Sequence, residues 1–417
     1  MPQRFLLVAA TFSVSVLLYV DRVCISTAKE PISRHLGLEE TQWGWVLSAF
    51  AFGYALCQTP AGILADRWGA RRVLAGVVIF WSVFTGLTAL AWNYGVLLTV
   101  RFLFGAGEAG AFPAIARGVY AWIPVQERGL IKGINFSGAR IGAAVTLPLL
   151  PALFAWLDWQ GAFVLLMVIG VVWACAWLVW FRDDPSHMRR MDPRELQYIL
   201  THRQSQGDAA TEQPSSSWTG LLWRASFWCL LLQYFCSNFT FFFCLTWLYP
   251  HVKNTYRLDA VDAGFLSMVP LLAGALGNIV SGFVIDRLYG AGHRSLSRRL
   301  PAMAGFAMAA TGLLGSVGQE TAGGAIAWLA LAIFGADMTI SPSWSVCIDV
   351  GGRHAGAVSG TMNMAGNLGS ALTGIAFPYL TAWAGVELFF YVGAALNILA
   401  VVLWVPIRPR HGLTEVS

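Results

Sequence analysis

Residues 62–67 read Gly-Ile-Leu-Ala-Asp-Arg, and residues 282–287 read Gly-Phe-Val-Ile-Asp-Arg, an offset of 220. Each copy closes a long apolar run and is followed by a short basic segment. A looser echo, Gly129-x-x-x-Gly133-x-Asn135 against Gly356-x-x-x-Gly360, has an offset of 227. The chain is therefore a duplication whose halves run in the same direction, the plan of membrane proteins built from parallel repeats.

The runs around these copies name the solvent. The 417 residues are 57% hydrophobic and 12% charged, against about 25% charged in soluble domains. Residues 41–65, 73–100, 159–181, 225–252, 263–285, 300–319, 355–386 and 388–407 contain no Asp, Glu, Lys or Arg. Each meets or exceeds the roughly 20 residues that a helix needs to cross a hydrocarbon core. Backbone groups in lipid must satisfy one another, and unbroken apolar runs of this length do so as helices. The sequence predicts an all-α integral membrane fold of twelve transmembrane helices in two parallel-repeat six-helix halves. The spans are placed near 5–27, 41–65, 73–92, 94–118, 130–155, 160–181, 225–250, 263–286, 300–318, 322–348, 356–382 and 387–407. The halves are residues 1–181 and 225–407. Between them, 182–224 is a polar linker with a surface helix opening at Asp192-Pro193-Arg194-Glu195 and a flexible stretch at 204–217; residues 408–417 form a tail.

Of 27 Lys and Arg, Lys29, Arg34, Lys253 and Arg257 fall on one side of this arrangement, three lie deep in spans, and the rest share a side with both termini. The positive-inside rule puts the termini in the cytoplasm, as in a bacterial inner membrane, and accounts for the net charge of +5 without nucleic acid. The N-terminal apolar run leads into Asp21-Arg22 without a small-residue cleavage site, so it reads as a span rather than a cleaved leader. The seven cysteines fall in apolar spans with no CxxC, which points to neither disulfides nor zinc.

Several motifs carry a family resemblance. Gly62-x-x-x-Asp66-Arg67-x-Gly69-x-Arg71-Arg72 resembles the loop signature of the major facilitator superfamily. Tyr19-x-Asp21-Arg22, Arg101-Phe-Leu-Phe-Gly105-Ala-Gly107-Glu108-Ala109, Phe112-Pro113 and Trp122-x-Pro124-x-x-Glu127-Arg128-Gly129 resemble its anion:cation symporter family. That family includes bacterial galactonate, glucarate and hexuronate transporters, with sialin and the vesicular glutamate transporters as animal relatives. The resemblance implies that Arg22 and Arg101 face the substrate, that Asp21 and Glu108 handle protons, and that Tyr54 lines the pocket. Asn367 matches a polar pocket position. Gly62, Asp66, Arg67, Gly69, Arg71 and Arg72, with Asp286 and Arg287 in the second copy, are expected to be a gate or hinge between the halves, which the short turn and its duplicate favour over a mere orientation signal. The family commonly has a small or neutral polar residue where this chain has Asp337.

Read without the family, six charges lie inside spans: Asp21, Arg22, Arg101, Glu108, Arg140 and Asp337. A charge at the bilayer centre costs roughly 2.5–3.5 kcal/mol on insertion scales, so such residues normally face a cavity and serve function; pairing that only ties helices together is the plainer alternative. Arg101, Gly105 and Glu108 share one helix face. The two charges stand about 10 Å apart along the axis, too far for a tight pair. Adjacent Asp21 and Arg22 point about 100° apart. Arg22 offers a planar fork suited to a carboxylate. Arg140 is placed with the substrate-binding residues. Asp337 is open to three roles: a contact to a substrate hydroxyl or amine, a further proton site, or a pair with Arg140. The pair is preferred, because Arg140 otherwise lacks an evident partner.

Three arginines and three acids sum to zero, so an entering anion leaves an uncompensated charge unless an acid takes up a proton. The expected activity is proton-coupled symport of a small organic anion, a sugar acid or other carboxylate, by a monomer without cofactor. An exporter or exchanger of organic anions on the same fold is the alternative. The span 130–155 lacks the Gly-Pro pair usual in such antiporters. All seven histidines lie outside the predicted spans, which argues against a haem-bearing membrane enzyme, and no GxxxxGK[ST] is present to drive an ATP pump. Gly105-Ala-Gly107-Glu108-Ala109-Gly110 fits the dinucleotide pattern GxGxxG, but inside an apolar span close helix packing explains it better.

Overall fold

The computed structural model describes residues 2–124, 128–188, 191–202, 225–351 and 355–407. Among them every long element is a helix: α1 (Gln3–Thr27), α2 (Lys29–Leu36), α3 (Glu40–Thr88), α4 (Tyr94–Glu108), α5 (Ala111–Trp122), α6 (Arg128–Phe154), α7 (Trp159–Trp180), α8 (Pro193–His202), α9 (Ala225–Thr246), α10 (Leu248–Thr255), α11 (Ala260–Gly290), α12 (Arg294–Ser316), α13 (Ala322–Met338), α14 (Ile340–Gly351), α15 (Ala355–Ala384) and α16 (Val386–Leu403). Counting the two arms of α3 separately, and α4 with α5 and α13 with α14 as single crossings, this makes twelve spans. Ten are long and apolar enough on their own. The other two are α12, which opens Arg-Ser-Leu-Ser-Arg-Arg, and α15, rich in Gly, Ser, Thr and Asn. The predicted linker stretch 204–217, Glu127 and the tail lie outside the described residues.

Three expected spans are not continuous. The span expected over 94–118 stops at Glu108 and resumes at Ala111; the one expected over 322–348 stops at Met338 and resumes at Ile340. Each resumed helix carries proline in its third position, Pro113 and Pro342. Proline has no N–H to give the carbonyl four residues back, so the ladder parts there. The carbonyl of Met338 freed in this way accepts a hydrogen bond from Ser281 Oγ at 2.6 Å. The span expected over 225–250 ends at Thr246, and α10 follows as a separate helix.

Gly69 turns α3 back on itself with φ 80° and ψ 161°, a backbone shape that glycine adopts without strain. The Asp183 carboxylate occupies the place of the missing side chain, 2.6 Å from where a Cβ would stand. It also accepts the Arg71 N–H at 2.9 Å. Arg71 reaches the Leu178 carbonyl through Nε at 3.1 Å and Nη2 at 2.5 Å, which ties this turn to the end of α7. The surface helix foreseen to open at Asp192-Pro193 is α8. Its Glu195 carboxylate accepts the N–H groups of Gln3 and Arg4, both at 2.9 Å, and so caps α1 from a distance.

Glycine sets the spacing of α3 and α4. A Cβ on Gly105 would overlap the Phe50 carbonyl oxygen, and one on Gly53 the Phe102 carbonyl oxygen. Gly105→Ala is therefore expected to destabilise the protein by about 1–3 kcal/mol, the usual effect of overpacking. Gly76→Ala, with no atom within 4 Å of the added methyl, is the control and should leave the detergent-solubilised melting midpoint unchanged.

The halves meet at the end away from Gly69. Ser26 Oγ donates to the Thr246 carbonyl at 2.8 Å, and Ser48 Oγ to the Ala371 carbonyl at 2.6 Å. Lys253 pairs with Glu30 at 2.8 Å. From mid-depth toward the Gly69 end they part, and the space between them is a large cavity.

Candidate functional site

That cavity, of about 1160 Å³, extends from Arg22 and Phe50 at its closed end to Gly62, Arg117 and Thr361 toward its mouth. Five of the residues singled out from the sequence as binding candidates or of open role line it: Arg22, Tyr54, Arg140, Asp337 and Asn367. Asn367 donates its amide to the Asn363 carbonyl at 2.8 Å, which holds the side chain across the helix groove.

Arg22 sits on α1 with its Nε and Nη2 both directed at one oxygen of Glu108, Oε2, at 3.0 and 2.6 Å. The other oxygen, Oε1, is buried without a partner. The Arg22 guanidinium lies 4.7 Å from the Tyr19 ring, 5.0 Å from Phe50 and 5.1 Å from Tyr54, an aromatic cradle that fixes a flexible cation. Glu108 itself is fully buried behind Arg22. Asp21 points away from its neighbour, as adjacent helical residues must, and accepts the indole N–H of Trp81 at 2.9 Å through Oδ2.

Arg101 does not reach the cavity. It was expected to face the substrate, but it is 1% exposed and lies a layer behind. The reason is Gly105, on the same face of α4, which lets α3 close over that face until Phe50 covers it. The Phe50 ring stands 5.5 Å from the Arg101 guanidinium and 5.0 Å from that of Arg22, within cation–π range of both. It also stacks on Phe242 of the other half, with centroids 6.5 Å apart. Among the described residues Arg101 has no ion-pair partner, and its Nε is buried unpaired.

Arg140 and Asp337 form a two-bond pair across the halves: Nε to Oδ2 and Nη2 to Oδ1, both 2.7 Å. The Arg140 guanidinium rests 3.8 Å above the Phe241 ring. Of the three roles left open for Asp337, the pairing is the one seen. The loop motif lies elsewhere: Arg67, Arg72, Asp286 and Arg287 are exposed, Arg71 is held to α7, and among the described residues of the motif Gly62 alone touches the cavity. The Asp66 side chain lies outside what the structure describes.

Sequence reasoning passed over Tyr19, Phe50, Gln58 and Asn135 as lining residues. Two of them had a readable signal. Tyr19 precedes Arg22 by three and Gln58 follows Tyr54 by four, the spacings of one helix face. The carboxamide oxygens of Gln58 and Asn135 are both buried without a partner.

A model of the Major Facilitator Superfamily matches residues 11–374. The chain belongs to the major facilitator superfamily. Among curated members of that superfamily, it is 33% identical to a probable sulfoacetate transporter of Cupriavidus necator, over 91% of this chain and 87% of the other. It is 30% identical to a hexuronate transporter of Bacillus subtilis, over 97% and 95%. It is 31% identical to a probable galactarate/D-glucarate transporter of Escherichia coli, over 91% and 88%. In architecture it resembles a bacterial homolog of the human lysosomal transporter Spinster, with a TM-score of 0.77 over 97% of this chain and 96% of that one at 17% identity. The chain is thus a multi-pass membrane transporter of the major facilitator fold, and these curated relatives are anion transporters.

Proposed function

We propose that the protein is a proton-coupled symporter of a small organic anion, a sugar acid or other carboxylate, working by alternating access. The observation that carries this reading is Arg22, open to the cavity on one side and bonded to buried Glu108 on the other. An anion arriving at Arg22 competes with Glu108 for the same guanidinium. A carboxylate left buried without its cation is unfavourable by several kcal/mol, and a proton on Glu108 removes that penalty. Anion and proton then bind together and leave together. Asp21, the residue before Arg22 and bonded to Trp81, is the second acid able to join this exchange. Arg101 stands behind as a fixed positive charge that favours an anion in the cavity.

The moving bodies are residues 1–181 and 225–407, with the loop motif at Gly69 and its copy at Asp286-Arg287 gating the mouth. The distribution of Lys and Arg orients the mouth and both termini to the cytoplasm, in a bacterial inner membrane. The names of the relatives, covering a sulfonated acid and several sugar acids, support an anionic cargo.

Arg22→Ala is expected to weaken binding of the anion by about 1.5–3 kcal/mol, the value of a hydrogen bond to a charged group. Arg22→Lys should recover part of it, since a point charge lacks the planar fork. Equilibrium binding on the purified protein against a panel of carboxylates measures this. Unchanged affinity in Arg22→Ala for every anion bound would remove Arg22 from the site.

A further inference from the structure

Arg22 and Arg140 are presented to the cavity in the same way. Each turns its Nε–Nη2 edge to a carboxylate: Arg22 to Glu108 at 3.0 and 2.6 Å, Arg140 to Asp337 at 2.7 and 2.7 Å. Each guanidinium lies over an aromatic ring, and each carboxylate sits in the last turn of a helix that breaks just after it. Nη1 stays outside the ion pair in both. The two side chains keep similar openings, 11% and 9% of their surface, and both line the cavity.

The helix register gives their separation. A Cβ on Gly138 would meet Phe12, and one on Gly142 would meet Val16, so α1 and α6 run side by side in one direction. Arg140 is then level with Val14, and Arg22 lies eight residues further along. At 1.5 Å per residue this is about 12 Å. Both side chains lean toward their helix N-termini, which preserves the interval. Hydrogen bonds of about 3 Å at each end leave roughly 6 Å, room for a short chain. Among the described residues the charged side chains on the cavity wall are Arg22, Arg117 and Arg140 against Asp337, and with Glu108 bonded behind Arg22 an excess of one positive charge remains.

We propose that the cargo is a short dianion, with one acidic group on the Nη1 end of Arg22 and the other on the Nη1 end of Arg140. This rests on the reading of the cavity as an anion site and narrows its cargo. A monoanion fills the Arg22 end alone and leaves the Arg140–Asp337 pair without a ligand. A dianion spans the cavity from Arg22 on α1 to Arg140 on α6, and Arg140 is in turn bonded to Asp337 of the other half.

The test is calorimetric binding to the full-length purified protein, using pairs of acids matched but for one charged end: D-glucarate with D-gluconate, succinate with succinamate, and sulfoacetate with sulfoacetamide. For at least one pair the dianion should bind about tenfold or more tightly than its singly charged partner, the effect of one charged hydrogen bond. In the double variant Arg140→Gln/Asp337→Asn, which removes both charges together, that ratio should fall to within about twofold of one. Asp337→Asn alone frees the Arg140 fork and should raise the ratio; if either variant does not fold, Arg140→Met/Asp337→Leu removes both charges and should likewise bring the ratio to within about twofold of one. Equal binding within every pair by the wild type would overturn the proposal and leave the anion site standing. So would a ratio that survives in the double variant or drops in Asp337→Asn. If the wild type bound no member of any pair, the anion reading of the cavity would fall, and this proposal with it.

Discussion

Glu108→Gln is expected to bind its anion and yet fail to concentrate it. Glutamine keeps the shape of a protonated glutamic acid and can still meet Arg22, but it has no proton to give up. With Arg22 and Arg101 retained, the site stays positive, so affinity should hold or improve. In proteoliposomes with an imposed inward proton gradient, wild type should accumulate the anion, whereas the variant should stop at equal concentrations on both sides. Wild-type binding should tighten as pH falls, because anion and proton are taken up together; that slope should flatten in the variant. Exchange of labelled for unlabelled anion should persist, since alternation with the cargo bound needs no change of charge. Accumulation by Glu108→Gln would move the coupling site to another acid, with Asp21 the first to test, as Asp21→Asn.

The second large effect concerns stability. Removing one member of the Arg140–Asp337 pair, as Arg140→Ala or Asp337→Ala, should cost about 3–5 kcal/mol, because the other charge is left buried alone. Replacing both, as Arg140→Met/Asp337→Leu, should cost far less, since two charges no longer need to leave water. The asymmetry between single and double variants, read from thermal unfolding in detergent, isolates the pair. If the double variant were as unstable as the sum of the singles, the two residues would be acting independently.

The fold was legible because hydropathy and charge are set by the solvent that each residue meets. The duplicated Gly-x-x-x-Asp-Arg and the apolar runs therefore located the spans and their repeat. The helix breaks after Glu108 and Met338 were not read, because hydropathy continues across them; the prolines at 113 and 342 were the signal. Six intramembrane charges were found by the same logic, and Arg140 was matched with Asp337, but the partners of Arg22 and Asp21 were not found. Arg22 meets Glu108 across 86 residues, and Asp21 meets Trp81 across 60, contacts that depend on how helices are rotated about their axes. Arg101 shows the limit most plainly. The periodicity put Arg101, Gly105 and Glu108 on one face, yet only the approach of α3 at Gly105 decides that this face is covered by Phe50.

The two arginine–carboxylate links differ in what a rigid-body motion does to them. Arg22 and Glu108 ride on α1 and α4, within one half, so a rigid-body motion of one half against the other would not itself strain that link. Arg140 and Asp337 ride on α6 and α13, in different halves. Any rotation that opens the sealed end must either pivot about this second link or stretch it. Spin labels placed near one link would report a constant distance through the cycle. Labels flanking the other would read out the stroke itself, making the same pair of residues the natural place to time the transporter's turnover.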